Sequence, residues 1–289
     1  MEVLRTVAEL RQWSRALRNA ARADGGHTIG LVPTMGALHA GHASLIRAAK
    51  ASIGSVAVSI FVNPTQFGPS EDFARYPRTF EADCALAESE GADVVFAPSV
   101  EELYPAGPTS QIATFVEVEG LSNRLDGASR PGHFRGVATV VAKLLIAAEP
   151  DRAFFGQKDA AQVAVLRRMA ADLRLLAEIV VCPIVREPDG LALSSRNRYL
   201  SPAERARALV LSRAIRRAEA LVAAGERRAE RLIEAAGKTF AAEREVRVDY
   251  IAAVDWATLE PVEVAAPGTL FAVAAWVGQT RLIDNCILA

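Results

Sequence analysis

The stretch Ile29-Gly30-Leu31-Val32-Pro33-Thr34-Met35-Gly36-Ala37-Leu38-His39-Ala40-Gly41-His42 leads from an apolar run into a helix-like one. Ile29 to Val32 reads as a short buried strand, and Ala43 to Lys50 as the first turns of a helix. A strand that passes through a glycine-containing turn into a helix N-terminus presents free backbone N–H groups and a positive dipole end, which suits a phosphate. Gly36 and Gly41 let the backbone approach an anion closely. His39 and His42, at i and i+3, project to one side of the first helical turn and can reach the same phosphoryl oxygens. The competing reading is a structural turn whose histidines cap the helix or face solvent. No further Cys, Asp or Glu cluster completes a coordination shell here, so no protein-held metal is expected.

Outward from this stretch the chain alternates. Ser55 to Val62, Asp93 to Ala97, Thr114 to Val118, Ala153 to Phe155 and Glu178 to Val185 read as strands, and Arg78 to Glu90, Gly136 to Ala148 and Ala160 to Leu173 as helices. Strands followed by helices predict a mostly parallel sheet wrapped on its faces, with ligands beyond the carboxyl ends of the strands. The loops at His39, Asn63 and Gln157 each follow a strand and should converge on one edge. Near residue 184 the rhythm changes. Ser201-Pro202-Ala203-Glu204 combines a serine cap, a proline at the first helical position and a glutamate at the third. A helix to Ala224, stopped by Gly225, a second helix near Arg228 to Ala242, and strands at Val246 to Val254, Leu270 to Val277 and Arg281 to Leu288 predict a smaller α+β domain with an antiparallel sheet. The expected division is residues 1–184 and 185–289.

At 289 residues, 51% hydrophobic and 23% charged, the chain has ample core for two such domains. A net charge of −1 argues against a broad basic field for nucleic acid. The arginines from Arg205 to Arg231 alternate with Glu and Ala as on a solvated helix face with internal ion pairs. Cys84, Cys182 and Cys286 are odd in number and widely spaced, which predicts neither a disulfide framework nor a zinc cage and suits a reducing compartment. Met1 to Leu17 reads as an amphipathic helix rather than a signal peptide, and Val137 to Ala148, broken by Lys143, is too short to span a bilayer. A cytoplasmic protein is expected.

Further polar constellations lie where loops are expected. In Phe61-Val62-Asn63-Pro64-Thr65-Gln66-Phe67-Gly68, Pro64 forbids continuation of the strand, leaving Asn63 and Gln66 as neutral amides able to fix a carboxylate or hydroxyl. Taken alone, the segment reads better as an ordinary Asn-Pro turn. In Phe154-Phe155-Gly156-Gln157-Lys158-Asp159-Ala160-Ala161-Gln162, the lysine can neutralise charge growing on a phosphate. Asp159 there serves as a helix cap or a ribose ligand, and Gln162 projects from the same side. In Asp189-Gly190-Leu191-Ala192-Leu193-Ser194-Ser195-Arg196, a tight turn precedes two hydroxyls and an arginine fork that matches phosphate geometry. That segment also reads as a polar hinge, and closure about it would carry Arg196 to a nucleotide. His133, in Arg130-Pro131-Gly132-His133-Phe134-Arg135-Gly136, reads as a structural cap for the following helix in preference to a catalytic group.

Taken in order, PTMGALHAGH (33–42), FVNPTQFGP (61–69), RPGHFRGVATVVAKLL (130–145), FFGQKD (154–159) and DGLALSSRNRYLS (189–201) closely resemble the pantoate–β-alanine ligase family. The resemblance implies a homodimer of Rossmann-like subunits in the nucleotidylyltransferase superfamily, each with a smaller C-terminal domain. It implies ATP, Mg²⁺, pantoate and β-alanine as ligands and a pantoyl-adenylate intermediate. Carried over by position, Met35, Gly36, Ala37, Leu38, His39, Ala40, Gly41 and His42 would contact ATP, with His42 the proton donor. Gly156, Gln157, Lys158 and Asp159 would line the nucleotide, and Val185 would bind adenine through its backbone. Leu193, Ser194, Ser195 and Arg196 would close over the phosphates, and Gln66 and Gln162 would hold pantoate, Gln66 also bordering β-alanine. His42, His39, Lys158 and Arg196 form the implied catalytic set. Val137, Val140 and Val141 would pack against pantoate's methyls. The chain departs from the family pattern at Gln157, usually glutamate, at Leu193, often methionine, and at Ala160-Ala161, usually a bulkier pair.

The rival enzyme reading is a nucleotidylyltransferase with a phosphorylated acceptor, which needs a second cationic pocket where this chain offers amides. A tRNA synthetase would require a basic surface and an anticodon-binding appendage. A non-catalytic nucleotide-binding module would bind ATP without releasing pyrophosphate.

Overall fold

The computed structural model describes residues 1–24, 28–69, 71–108 and 113–289. The chain divides into two compact units, Met1–Gly156 with Val165–Cys182, and Gln157–Ala164 with Pro183–Ala289. In chain order the elements are β1 (Glu2–Leu4), α1 (Val7–Asp24), β2 (Ile29–Thr34), α2 (Ala40–Ser52), β3 (Ser55–Ile60), α3 (Phe80–Ser89), β4 (Val94–Phe96), α4 (Val100–Leu103), α5 (Asp126–Ser129), α6 (His133–Ala148), β5 (Arg152–Gly156), α7 (Ala160–Asp172), β6 (Glu178–Cys182), α8 (Pro202–Ala223), α9 (Ala229–Ala241), β7 (Val246–Val254), β8 (Leu270–Val277) and β9 (Thr280–Ile287).

The first unit is built on a six-stranded sheet in the order β1-β4-β3-β2-β5-β6, with every pair parallel. The near-continuous apolar runs of β2 and β3 follow from burial on both faces. Crossovers send the chain from β2 through β3 to β4 with α2 and α3 packed together, and then back through β5 to β6 with α6 packed on α1. Strand order therefore reverses beside β2, and the C-terminal ends of β3, β2 and β5 share one edge. Val32, Ile46, Val58, Val95 and Phe154 are the centre of this core. The expected α/β class and parallel sheet are observed.

The second unit pairs α8 and α9 with the antiparallel sheet β7-β8-β9 around Leu211, Ile215, Leu232, Phe240, Phe271 and Val273. Ser201 and Glu204 form the anticipated capping box on α8, where each satisfies an N–H that the first helical turn leaves over. The arginine-rich face is solvated and ion-paired as expected, though most partners come from other elements: Arg205 with Glu187 and Asp189, Arg207 with Glu245, and Arg213 with Glu243.

Two expectations fail. Thr114–Val118 is not a strand. Its amides are taken by side chains, Val116 donating to Thr139 Oγ1 at 2.9 Å and Val118 to Ser122 Oγ at 3.2 Å, so no neighbouring strand is recruited. The N-terminus is not one helix from Met1: Glu2–Leu4 pairs in parallel with Val94–Phe96 and buries Leu4. Thr6 and Glu9 then cap each other's amides, so α1 starts only at Val7.

Candidate active site

The loop from Met35 to His39 leaves the sheet where strand order reverses, the position at which open parallel sheets bind ligands. Gly36 and Ala37 both have positive φ, +81° and +50°. For alanine this is a strained conformation that surrounding bonds must hold. The buried Asp83 carboxylate of α3 does so, accepting from Ala37 N at 2.9 Å, Leu38 N at 2.8 Å and Thr79 Oγ1 at 3.0 Å. Gly36 N donates to Thr34 Oγ1. The amides of Gly36, Ala37, Leu38 and Gly41, expected to be free for an anion, are thus already donated within the protein.

The helix begins at Ala40, a turn earlier than expected, with His39 as its cap. His39 Nδ1 accepts from Gly41 N at 3.1 Å, which assigns the proton of the neutral ring to Nε2. A Cβ on Gly41 would lie 2.8 Å from His39 Cε1, so a side chain there would push the ring off the Gly41 amide. The His39 and His42 rings lie 4.2 Å apart between centroids. With the turn amides spent, Nε2 is the N–H donor that the neutral His39 ring retains.

The next loop carries the amides. Asn63 is 1% exposed and fully engaged: its Nδ2 donates to Gln66 Oε1 at 3.0 Å and to Gly136 O at 3.1 Å, and its Oδ1 accepts from Thr65 Oγ1 and Tyr104 OH at 2.9 Å each. Asn63 is therefore a scaffold for Gln66 rather than a ligand-facing amide. Gln66 Nε2 reaches Met35 Sδ at 3.1 Å, linking this loop to the histidine loop. Val137, Val140 and Val141, on α6 beside it, are buried.

His133 does not cap α6; Gly132 holds that position. Its ring instead spans from Arg130 Nη1, 2.9 Å from Nε2, to the Gln66 carbonyl, 2.8 Å from Nδ1. A carbonyl only accepts, so Nδ1 carries the proton and Nε2 accepts from arginine. Arg130 is held in turn by Glu71 through two bonds of 2.7 Å. Burial would raise the Glu71 carboxyl, but the guanidinium bonds outweigh it and leave it below its ordinary value. Burial, reinforced by Arg130, lowers His133 to about 4. Between that value and the ordinary 6.5, the unfolded chain binds a proton that the folded chain refuses. Stability should therefore fall as pH drops through this window, by up to about 3 kcal/mol, and be unaffected by this group above it. Urea titrations of wild type and His133→Asn at several pH values should show a shallower loss for the variant; equal slopes would remove His133 as the cause.

In the second unit, Gln157–Asp159 form a single 3₁₀ turn before α7. Lys158 Nζ lies 3.5 Å from Asp159 Oδ1. Gln162 is half-buried on the first turn of α7. Val185 and Leu193 close a hairpin through Leu193 N donating to Val185 O at 3.0 Å, with the expected tight turn at Gly190, φ +95°. Ser194 Oγ accepts from Arg196 N, so this hydroxyl caps the Ser195–Tyr199 turn that carries the arginine. Asn197 Nδ2 anchors that turn to Glu187 Oε1 at 2.7 Å and Ala192 O at 3.1 Å.

Residues 2–287 match the family model for pantoate-beta-alanine ligase. This chain belongs to the pantoate–β-alanine ligase family. It is 62% identical to a pantothenate synthetase of Acidobacterium capsulatum, covering 98% of this chain and 95% of that relative. It is 56% identical to the pantothenate synthetase of Koribacter versatilis over 100% and 96%. The solved pantothenate synthetase of Thermus thermophilus has a TM-score of 0.91 at 46% identity, covering 99% of each chain. A pantoate-beta-alanine ligase of Francisella tularensis, complexed with beta-gamma ATP and β-alanine, has a TM-score of 0.79 at 33% identity over 99% and 97%.

Several residues that shape the site escape sequence reasoning. Asp83 is a carboxylate on the buried stripe of α3, four residues from buried Ala87, and that placement is the signal available for it. Glu71 and Tyr104 give none. Asp284-Asn285, a polar pair flanked by Leu282-Ile283 and Cys286-Ile287 in β9, is a signal that the sequence does carry.

Proposed function

We propose that this pantoate–β-alanine ligase family member joins pantoate to β-alanine through pantoyl adenylate. A pantoate carboxylate oxygen attacks the α-phosphorus of ATP, and the bond to pyrophosphate breaks. The β-alanine amine then attacks the acyl carbon, the carbon–oxygen bond to AMP breaks, and the nitrogen sheds its proton. Both steps need hydrogen-bond donors and positive charge where oxygen charge grows, and neither needs a protein nucleophile. The observation that carries the reading is the His39–His42 pair at the strand-order reversal, one loop from the buried neutral amide of Gln66.

In this reading Met35 to His42 and Gly156 to Asp159 contact ATP, Val185 meets adenine, and Leu193 to Arg196 meet the phosphates. His42, with His39, Lys158 and Arg196, stabilises the charge transferred to pyrophosphate. Gln66 and Gln162 hold pantoate, and Gln66 borders β-alanine. Residues 1–184 would form the nucleotide- and pantoate-binding domain, with 185–289 as the smaller lid. Mg²⁺ enters as part of the substrate, on the triphosphate oxygens. The protein's own share of the positive charge would come from its cationic side chains. A cytoplasmic homodimer completes the proposal.

The test supplies ATP and pantoate with and without β-alanine and follows pyrophosphate and AMP separately. Pyrophosphate should appear in a single turnover without β-alanine, and AMP only after its addition. Nucleotide retained in the final product would favour a nucleotidylyltransferase instead. Gln66→Ala should weaken pantoate binding far more than ATP binding, because the lost amide leaves polar substrate atoms unpaired. Equal weakening of both in a calorimetric titration would count against that role.

A further inference from the structure

Lys158 stands in a one-turn 3₁₀ segment that cannot hold its own geometry, since only Gln157, Lys158 and Asp159 make it up. What holds it lies more than a hundred residues away in sequence. The side-chain amide of Asn285, on β9 and only 3% exposed, donates to Gln157 O at 3.0 Å and to Lys158 O at 2.9 Å. Its Oδ1 accepts from Gln157 Nε2 at 3.2 Å. Both amide protons and the amide oxygen are therefore spent on this one turn. A further donor, Trp256 Nε1, takes Ala160 O at 3.0 Å, the first residue of α7. Asn285 is itself braced: its backbone N–H donates at 2.8 Å to Asp284 Oδ1, whose carboxylate binds Arg186 through two bonds of 2.7 and 2.9 Å.

We propose that Asn285 is a positioning residue for Lys158, fixing the direction of the lysine by bonding the Gln157 and Lys158 carbonyls of the turn from which it projects. The inference rests on the reading of Lys158 as a phosphate-directed cation. Asn285 itself touches no reacting atom in this account. Only a side chain with two geminal N–H donors and an acceptor can make all three bonds, which distinguishes asparagine from aspartate or serine at this position.

Single-turnover pyrophosphate release from ATP and pantoate should be measured for wild type, Asn285→Asp, Asn285→Ser, Lys158→Ala and the Asn285→Asp/Lys158→Ala double variant. Aspartate, nearly isosteric but without N–H donors, should slow the step by roughly 10- to 100-fold, the cost of misdirecting a reacting group by about an ångström. The Michaelis constant for pantoate should not change. Serine, uncharged and able to donate to one carbonyl, should fall between aspartate and wild type, and it carries the test if the aspartate variant does not fold. With alanine already at position 158, the aspartate substitution should add almost nothing. An undiminished penalty in that background, or aspartate and serine variants at the wild-type rate, overturns the positioning role. Lys158→Ala at the wild-type rate would instead remove the lysine's own role, and the proposal with it.

Discussion

Lys158→Ala is expected to slow formation of pantoyl adenylate by about 10²–10³-fold, the usual cost of deleting one preorganised electrostatic donor. Charge moves onto pyrophosphate as the bond to the α-phosphorus breaks, and a lysine fixed beforehand stabilises it without reorganising. The side chain is about one-fifth exposed and has Asp159 3.5 Å away, a distance at which the ion pair orients the ammonium without sealing it in a short bond. Because the loss belongs to the transition state, it should appear in the rate of pyrophosphate release under saturating ATP and pantoate rather than in the affinity for pantoate. A variant that releases pyrophosphate as fast as wild type in a single turnover would exclude the role.

The second large effect is expected at Gly136, where nothing in the chemistry hints at importance. A Cβ there would lie 2.6 Å from Gln66 N and 2.5 Å from Thr65 C, and closer still to the Thr65 carbonyl oxygen. These are backbone atoms and cannot swing aside. The Gly136 carbonyl also accepts from Asn63 Nδ2, so the same residue both admits and anchors the Asn63–Gln66 turn. Gly136→Ala should therefore cost about 1–3 kcal/mol of stability as overpacking. It should also displace Gln66 and weaken pantoate by roughly 10²-fold, with ATP affected much less. Urea unfolding together with calorimetric titration of each substrate would check both parts. Wild-type stability and wild-type pantoate affinity together would show that α6 and this turn can separate at little cost.

The site is legible where one local pattern states its own chemistry. Strand, glycine turn and helix start put His39 and His42 at the beginning of α2, where the structure has them, and the Asn-Pro step ends β3 ahead of Gln66. It is not legible where a group acts on residues distant in the chain. The sequence presents Asn63 as a ligand-facing amide, whereas the fold consumes it on Gln66, Gly136, Thr65 and Tyr104. His133 reads as a cap and is a neutral strut between Arg130 and the Gln66 carbonyl. The turn amides read as an anion nest and are largely satisfied by Asp83 and Thr34. In each case the donor and acceptor types are visible in the sequence. Their deciding partners either lie 41 to 73 residues away or depend on which side of a turn faces inward.

Periodicity, turn chemistry and five ordered motifs suffice for the α/β class, the antiparallel second sheet and the family, because apolar spacing and backbone restrictions act over a few residues and survive in a one-dimensional string. Folding alone decided which polar groups remain available to a substrate. A buried donor or acceptor must find a partner wherever the fold brings one, so Asp83, Asn63, His133 and Asn285 were committed to structure only when distant segments met them.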